Sequence, residues 1–220
     1  MLSCLALLAG LVAAVSAASG SAREGERAGA GVLVEVRLAN AAQLPPLARA
    51  SLIQEVTDIW RREGVRLRWP LDPATSDAPD FALRVLVVQR EIADGDAGHH
   101  WPVGELLFDE SDNPVAVASI DAAERIIDTA VRPDEPATLR ARRLGTVLGR
   151  TVAHEMGHYL LNTSSHARRG LMRARIDAND FADLRSGAFF LDGPAGEWIR
   201  NALIRTATAQ TRLTRFVYAP

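Results

Sequence analysis

The chain has no lysine, and its one cysteine is Cys4. A single thiol excludes an internal disulfide framework and a cysteine-built zinc site, leaving histidine, aspartate and glutamate for any metal chemistry. All 25 basic residues are arginine, set against 27 acidic ones for a net charge of −2. There is no basic surplus to neutralise phosphates, so a dedicated nucleic-acid binder is disfavoured. Long apolar runs are missing too. The longest, Cys4 to Val15, has twelve residues, whereas a membrane-spanning helix needs about 20. What is present is 220 residues with 48% hydrophobic side chains, enough to bury the core of one ordinary domain, which argues against a disordered chain.

Small residues follow the short apolar run at once, and Val15, Ser16 and Ala17 form a small-x-small cleavage pattern. Residues 1–17 therefore read as a secretory signal peptide, although their n-region lacks Arg and Lys; cleavage after Ala18 or Ala22 fits nearly as well. The expected destination is the periplasm or the medium, with no transmembrane anchor after cleavage. Cys4 lies inside this segment, so the mature chain has no thiol. Residues 18–30 have no periodicity and read as a flexible lead-in.

The domain is expected over residues 31–206, with a tail at 207–220. Val32, Val34, Val36 and Leu38 alternate with Leu33, Glu35 and Arg37, the period of a strand. After Pro45 and Pro46, Leu52, Ile53, Val56, Ile59 and Trp60 fall at helical spacing, and Gly64 closes that helix. Val65, Leu67 and Trp69 alternate again, and Phe81 to Val88 reads as a buried strand. Two further β-rich stretches, Gly104 to Phe108 and Val115 to Ile120, flank an Asp/Ser/Asn turn at 109–113. From Pro136 the chain can run as one helix to about Leu161, with Gly145 and Gly149 inside it. Each glycine costs a helix up to about 1 kcal/mol against alanine, so close approach of another backbone is the expected reason for both. Trp198, Ile199, Ala202 and Leu203 give a last amphipathic helix. Strands with one helix, followed by a helical half, make a single α+β domain.

His154, Glu155, Met156, Gly157 and His158 form an HExxH motif near the C-terminal end of the long helix. Four-residue spacing puts both imidazoles on one helix face, a turn apart, where they can share one zinc ion. Glu155, one step round, can reach a water on that zinc as general base. A catalytic zinc usually has three protein ligands and one open position, so a third ligand is required. His166 follows His158 by eight residues. If the helix ends at Asn162, which tolerates the left-handed conformation, the loop can turn His166 back under the metal.

At these residues the sequence resembles the metzincin clan of zinc metallopeptidases, and particularly its matrixin-like members. That clan carries an extended HExxHxxGxxH motif and a Met-turn, which Gly170, Leu171, Met172 and Arg173 resemble, with Met172 fourteen residues after His158. There are two departures. The clan's glycine falls on Leu161 and its third histidine on Ser164, with His166 two places downstream. The rival third ligands are Asp177, Asp180 and Asp183, as in an Asp-zincin, or Glu197, as in a gluzincin. The resemblance implies a twisted, mostly parallel sheet with an antiparallel edge strand, an active-site helix, a Met-turn loop and a C-terminal helix. It also implies a zinc endopeptidase acting on peptides or proteins, expected as a monomer, with the substrate extended along Gly104 to Phe108 or Val115 to Ile120. The alternative is a non-catalytic exported zinc-binding or protein-interaction module, against which the presence of Glu155 speaks.

Weaker features read as ordinary structure. His99 and His100, beside Trp101, suit a polar surface turn better than a second metal site. Tyr159 suits packing, and Arg168, Arg169, Arg173 and Arg175 suit a solvated loop face better than a site for acidic substrates.

Overall fold

A computed structural model of the chain describes residues 32–40, 43–69, 78–89, 103–185, 187–191 and 201. The expected signal peptide, lead-in and C-terminal tail lie outside these residues, as do His99, His100, Glu197 and the helix expected at Trp198 to Leu203, apart from Asn201.

β1 (Leu33–Ala39) and β3 (Phe81–Val88) are built on period-two patterns. Val34 and Val36 are fully buried, and Phe81, Leu83, Val85 and Val87 alternate with more exposed neighbours. Between them in sequence, α1 (Pro46–Arg62) starts with proline at its first position, where no intrahelical N–H is needed. It buries Ala48, Leu52, Val56, Ile59 and Trp60. Gly64, at φ 77°, then turns the chain into β2 (Arg66–Arg68), a shorter strand than the alternation from Val65 to Trp69 suggests.

β4 (Gly104–Phe108) and β5 (Pro114–Ser119) are joined by a turn in which Asp109 Oδ1 accepts from the backbone of Ser111 and Asn113. The five strands lie in the order β2-β1-β3-β5-β4. The β2–β1, β1–β3 and β3–β5 pairs are parallel, and β4 alone runs antiparallel, along β5. β5, flanked on both sides, is buried at every position, which explains why its sequence carries no charge.

α2 (Ile120–Ala130) begins directly where β5 ends. The hydrophobic pattern of the sequence continues as β structure to Ile120 and gives no sign of a helix after it. The start signal is Ser119, whose hydroxyl accepts from the Ala122 N–H, with Asp121 in the first turn. α3 (Ala137–Leu161) is the long helix expected from Pro136, and it is buried on all sides from Leu144 to Gly157 except at the half-buried His154. Two of its three interior glycines, Gly145 and Gly149, face α1. A Cβ at Gly145 would overlap the Ala48 carbonyl, and one at Gly149 would crowd Glu55 and the Leu52 carbonyl. α4 (Ala178–Ala182) is a single turn and a half, capped by the Asp177 side chain. The domain is thus α+β with a mostly parallel sheet, and no helix among the described residues is long and apolar enough to cross a membrane.

Candidate metal centre

Three features of the chain bring the histidines together. α3 carries His154 and His158 one turn apart. Asn162 then ends the helix in the left-handed conformation (φ 47°, ψ 52°), and its N–H returns to the His158 and Tyr159 carbonyls. The helix thereby runs through Leu161, and an asparagine at the next position does the turning. The loop after it is pinned by Thr163 N–H to His158 O and by Ala167 N–H to Met172 O, and His166 lies between these two ties. One ring nitrogen from each of His154, His158 and His166 falls within 4.8 Å of the other two, the one group of such side chains among the described residues able to hold a metal ion.

The protonation pattern of the rings follows from their partners. His154 Nδ1 lies 2.8 Å from the Leu171 carbonyl and His158 Nδ1 lies 2.7 Å from the Thr163 carbonyl. A carbonyl only accepts, so both Nδ1 atoms carry the proton and donate it, which leaves each neutral ring with a bare lone pair on Nε2. Those two Nε2 atoms are 3.0 Å apart. Two lone pairs at this separation repel unless a positive charge lies between them, either a proton shared by the two rings or a metal ion. Burial is the main cause that pushes the His154 pKa down to about 4, with the neighbouring histidines adding to it, and it also lowers that of His166. Neutral imidazole is the form that ligates a metal.

Glu155 is buried on the same helix, and none of the hydrogen bonds or ion pairs among the described residues engages its carboxylate. Burial raises its pKa to about 7, helped by the negative charge of Glu105 on β4. The edge strand comes this close because Gly104 has no side chain: a Cβ there would overlap Thr151 and touch Glu155. Met172 is buried, with its thioether against Gly157 of the motif helix, where a Cβ would collide with the sulfur.

The other sequence candidates sit elsewhere. Asp177 caps α4, Asp180 pairs with Arg173 at 3.6 Å, and Asp183 accepts from the Arg185 backbone, so none of the three joins the histidines. Tyr159 packs edge-on against Phe81, in keeping with a packing role. Arg168, Arg169 and Arg175 are exposed, whereas Arg173 is tied to the Gly170 carbonyl. Sequence reasoning missed Glu105, Gly104 and the role of Gly157. A glycine between the two motif histidines, in a helix that pays for it in propensity, was the readable sign of a close neighbour. Comparisons with protein-family models, with curated proteins and with solved structures give no match for this chain.

Proposed function

We propose that the protein is an exported zinc-dependent endopeptidase of metzincin-like build. The observation that carries this reading is the pair of Nε2 lone pairs 3.0 Å apart, with both Nδ1 protons committed to carbonyls and His166 alongside. Three neutral imidazoles with no carboxylate among them suit zinc, and three protein ligands leave the open position that separates a catalytic from a structural site. His154, His158 and His166 would hold the ion. When bound, zinc supplies a Lewis acid that acidifies water and polarises a peptide carbonyl.

The remaining chemistry belongs to Glu155. Its buried, unengaged carboxylate accepts the proton of the attacking water and returns it to the leaving amine. In the metal-free site burial and the charge of Glu105 raise its pKa, which makes it a stronger base than an exposed carboxylate. Gly104 brings the β4 backbone against Glu155, so a peptide extended along this edge strand would lie beside the base. The strand order with its antiparallel edge, and the contact of Met172 with Gly157 of the motif, support the metzincin-like part of the reading.

The test is cleavage of a diverse peptide library read by mass spectrometry, with wild type beside Glu155→Ala and a chelator control. Wild type is expected to cleave and to hold one zinc, and Glu155→Ala to keep the zinc while losing at least about a hundredfold in rate, as for loss of a general base. One zinc with no cleavage of any peptide would transfer the assignment to the non-catalytic module. Export rests on the segment from Cys4 to Val15, and the exported chain is expected to begin at Ala18, Ser19 or Arg23 on N-terminal sequencing.

A further inference from the structure

Arg150 is out of place by composition: an arginine on α3, one turn before His154, with 1% of its side chain exposed. Its guanidinium is nevertheless engaged through two of its three nitrogens. Nε donates to Glu55 Oε1 of α1 at 2.7 Å, and one terminal nitrogen donates to the Asp180 and Phe181 carbonyls of α4 at 3.0 and 2.8 Å. The Phe189 ring lies under it, 4.2 Å from centroid to guanidinium carbon, and itself stacks on Phe181. One planar fork thus grips an acid on one helix, two carbonyls of another and the aromatic ring of Phe189. Gly149 permits the first of these contacts by letting α1 approach until Glu55 faces Arg150.

The segment held in this way reaches the metal centre in two further steps. Phe190, next to Phe189, accepts the Leu171 N–H on its carbonyl at 3.0 Å. The Leu171 carbonyl in turn accepts from His154 Nδ1 at 2.8 Å. The circuit leaves α3 at Arg150, passes through Phe189, Phe190 and Leu171, and re-enters α3 at His154. His158 stands outside it, because its carbonyl partner, Thr163, is fixed by the helix cap at Asn162.

We propose that Arg150 is a positioning residue for the metal centre, holding Phe189 and Phe190 so that the Leu171 carbonyl fixes the orientation and tautomer of His154. This deepens the zinc reading and rests on it. A partner that orients a metal-ligating histidine is worth about 10–100-fold in metal affinity when it is removed. Acting through one intervening segment, Arg150 is assigned the lower end of that range. Its effect falls on one histidine of the pair.

That asymmetry supplies the test. In zinc-loaded protein, the Nδ1 protons of His154 and His158 are followed by NMR through their exchange with solvent, and zinc affinity is measured by competition with a chelating indicator. In Arg150→Gln, His154 Nδ1–H is expected to exchange at least about tenfold faster while His158 Nδ1–H stays at the wild-type rate, with zinc held about tenfold more weakly. Arg150→Lys keeps the charge without the fork and is expected to free the His154 proton as well. Should either variant fail to fold, Phe189→Leu, which removes the ring beneath the guanidinium and keeps an apolar side chain, is expected to give the same one-sided change. Both protons loosening together, or neither changing with zinc held as tightly as by wild type, would overturn the positioning role while leaving the zinc reading intact. A wild-type protein that takes up no zinc would overturn both.

Discussion

At the scale of single residues, the metal centre depends on atoms that are missing as much as on those present. Gly157 contributes no side chain, and the Met172 sulfur occupies the space its Cβ would fill. Adding a methyl there forces the thioether aside in a buried site, an overpacking that typically costs about 1–3 kcal/mol. Met172→Ala alone removes packing instead, typically about 2–5 kcal/mol. The two changes should compensate, because the new methyl at 157 enters the space the thioether vacates. In a double-mutant cycle read by urea denaturation, Met172→Ala is expected to cost less in the Gly157→Ala background than in wild type, with a coupling of roughly 1 kcal/mol or more. Additive losses would mean that the two residues do not share this contact.

At the scale of elements, the decisive packing is that of α1 across α3. The interior glycines of α3 weaken it as an isolated helix, yet Gly145 lies where any Cβ would overlap the Ala48 carbonyl, and backbone cannot move aside as a side chain can. Gly145→Ala is therefore expected to destabilise by about 1–3 kcal/mol despite the roughly 1 kcal/mol gained in helix propensity. Gly149→Ala, which meets the Glu55 side chain as well as the Leu52 carbonyl, is expected to cost less. Thermal unfolding of the two variants checks the order, and a stabilised Gly145→Ala would show that α1 can retreat. The sequence disclosed this crossing because Gly145 and Gly149, one turn apart inside a long helix, cost it propensity and have few uses other than close approach. It disclosed β1, β3 and α1 because their hydrophobic periods are regular. It hid α2 because that helix starts without a loop at Ser119, so the apolar residues of β5 run straight into Ile120 and the change of period has no punctuation. The antiparallel direction of β4 was legible, since a turn as short as the one around Asp109 cannot join parallel strands.

At the scale of the whole molecule, what was legible of the site was what lies along one helix. His154, Glu155 and His158 are fixed relative to one another by helical geometry, which sequence spacing states directly. Glu105, Arg150 and the Leu171 carbonyl come from other elements, and only tertiary packing brings them to the motif. His166 stands between these cases, since its approach depends on where the helix ends and on the ties of Ala167 to Met172 and Leu171 to Phe190. A metal held by all three histidines would cross-link α3 to that loop, a link the unfolded chain lacks, so binding should add to stability as RT ln(1 + [Zn]/Kd). With free zinc about a hundredfold above Kd the gain is about 2.7 kcal/mol, or roughly 5–10 °C in Tm for a domain of this size, reversed by a chelator. His166 is exposed, so His166→Ala is expected to leave the metal-free Tm nearly unchanged while abolishing most of the zinc-induced rise. Asp180→Asn is expected to keep the full rise, since Asp180 pairs with Arg173 away from the rings. If His166→Ala kept the rise and Asp180→Asn lost it, the third ligand would be the aspartate, and the loop would have to close on the metal differently from the arrangement described above.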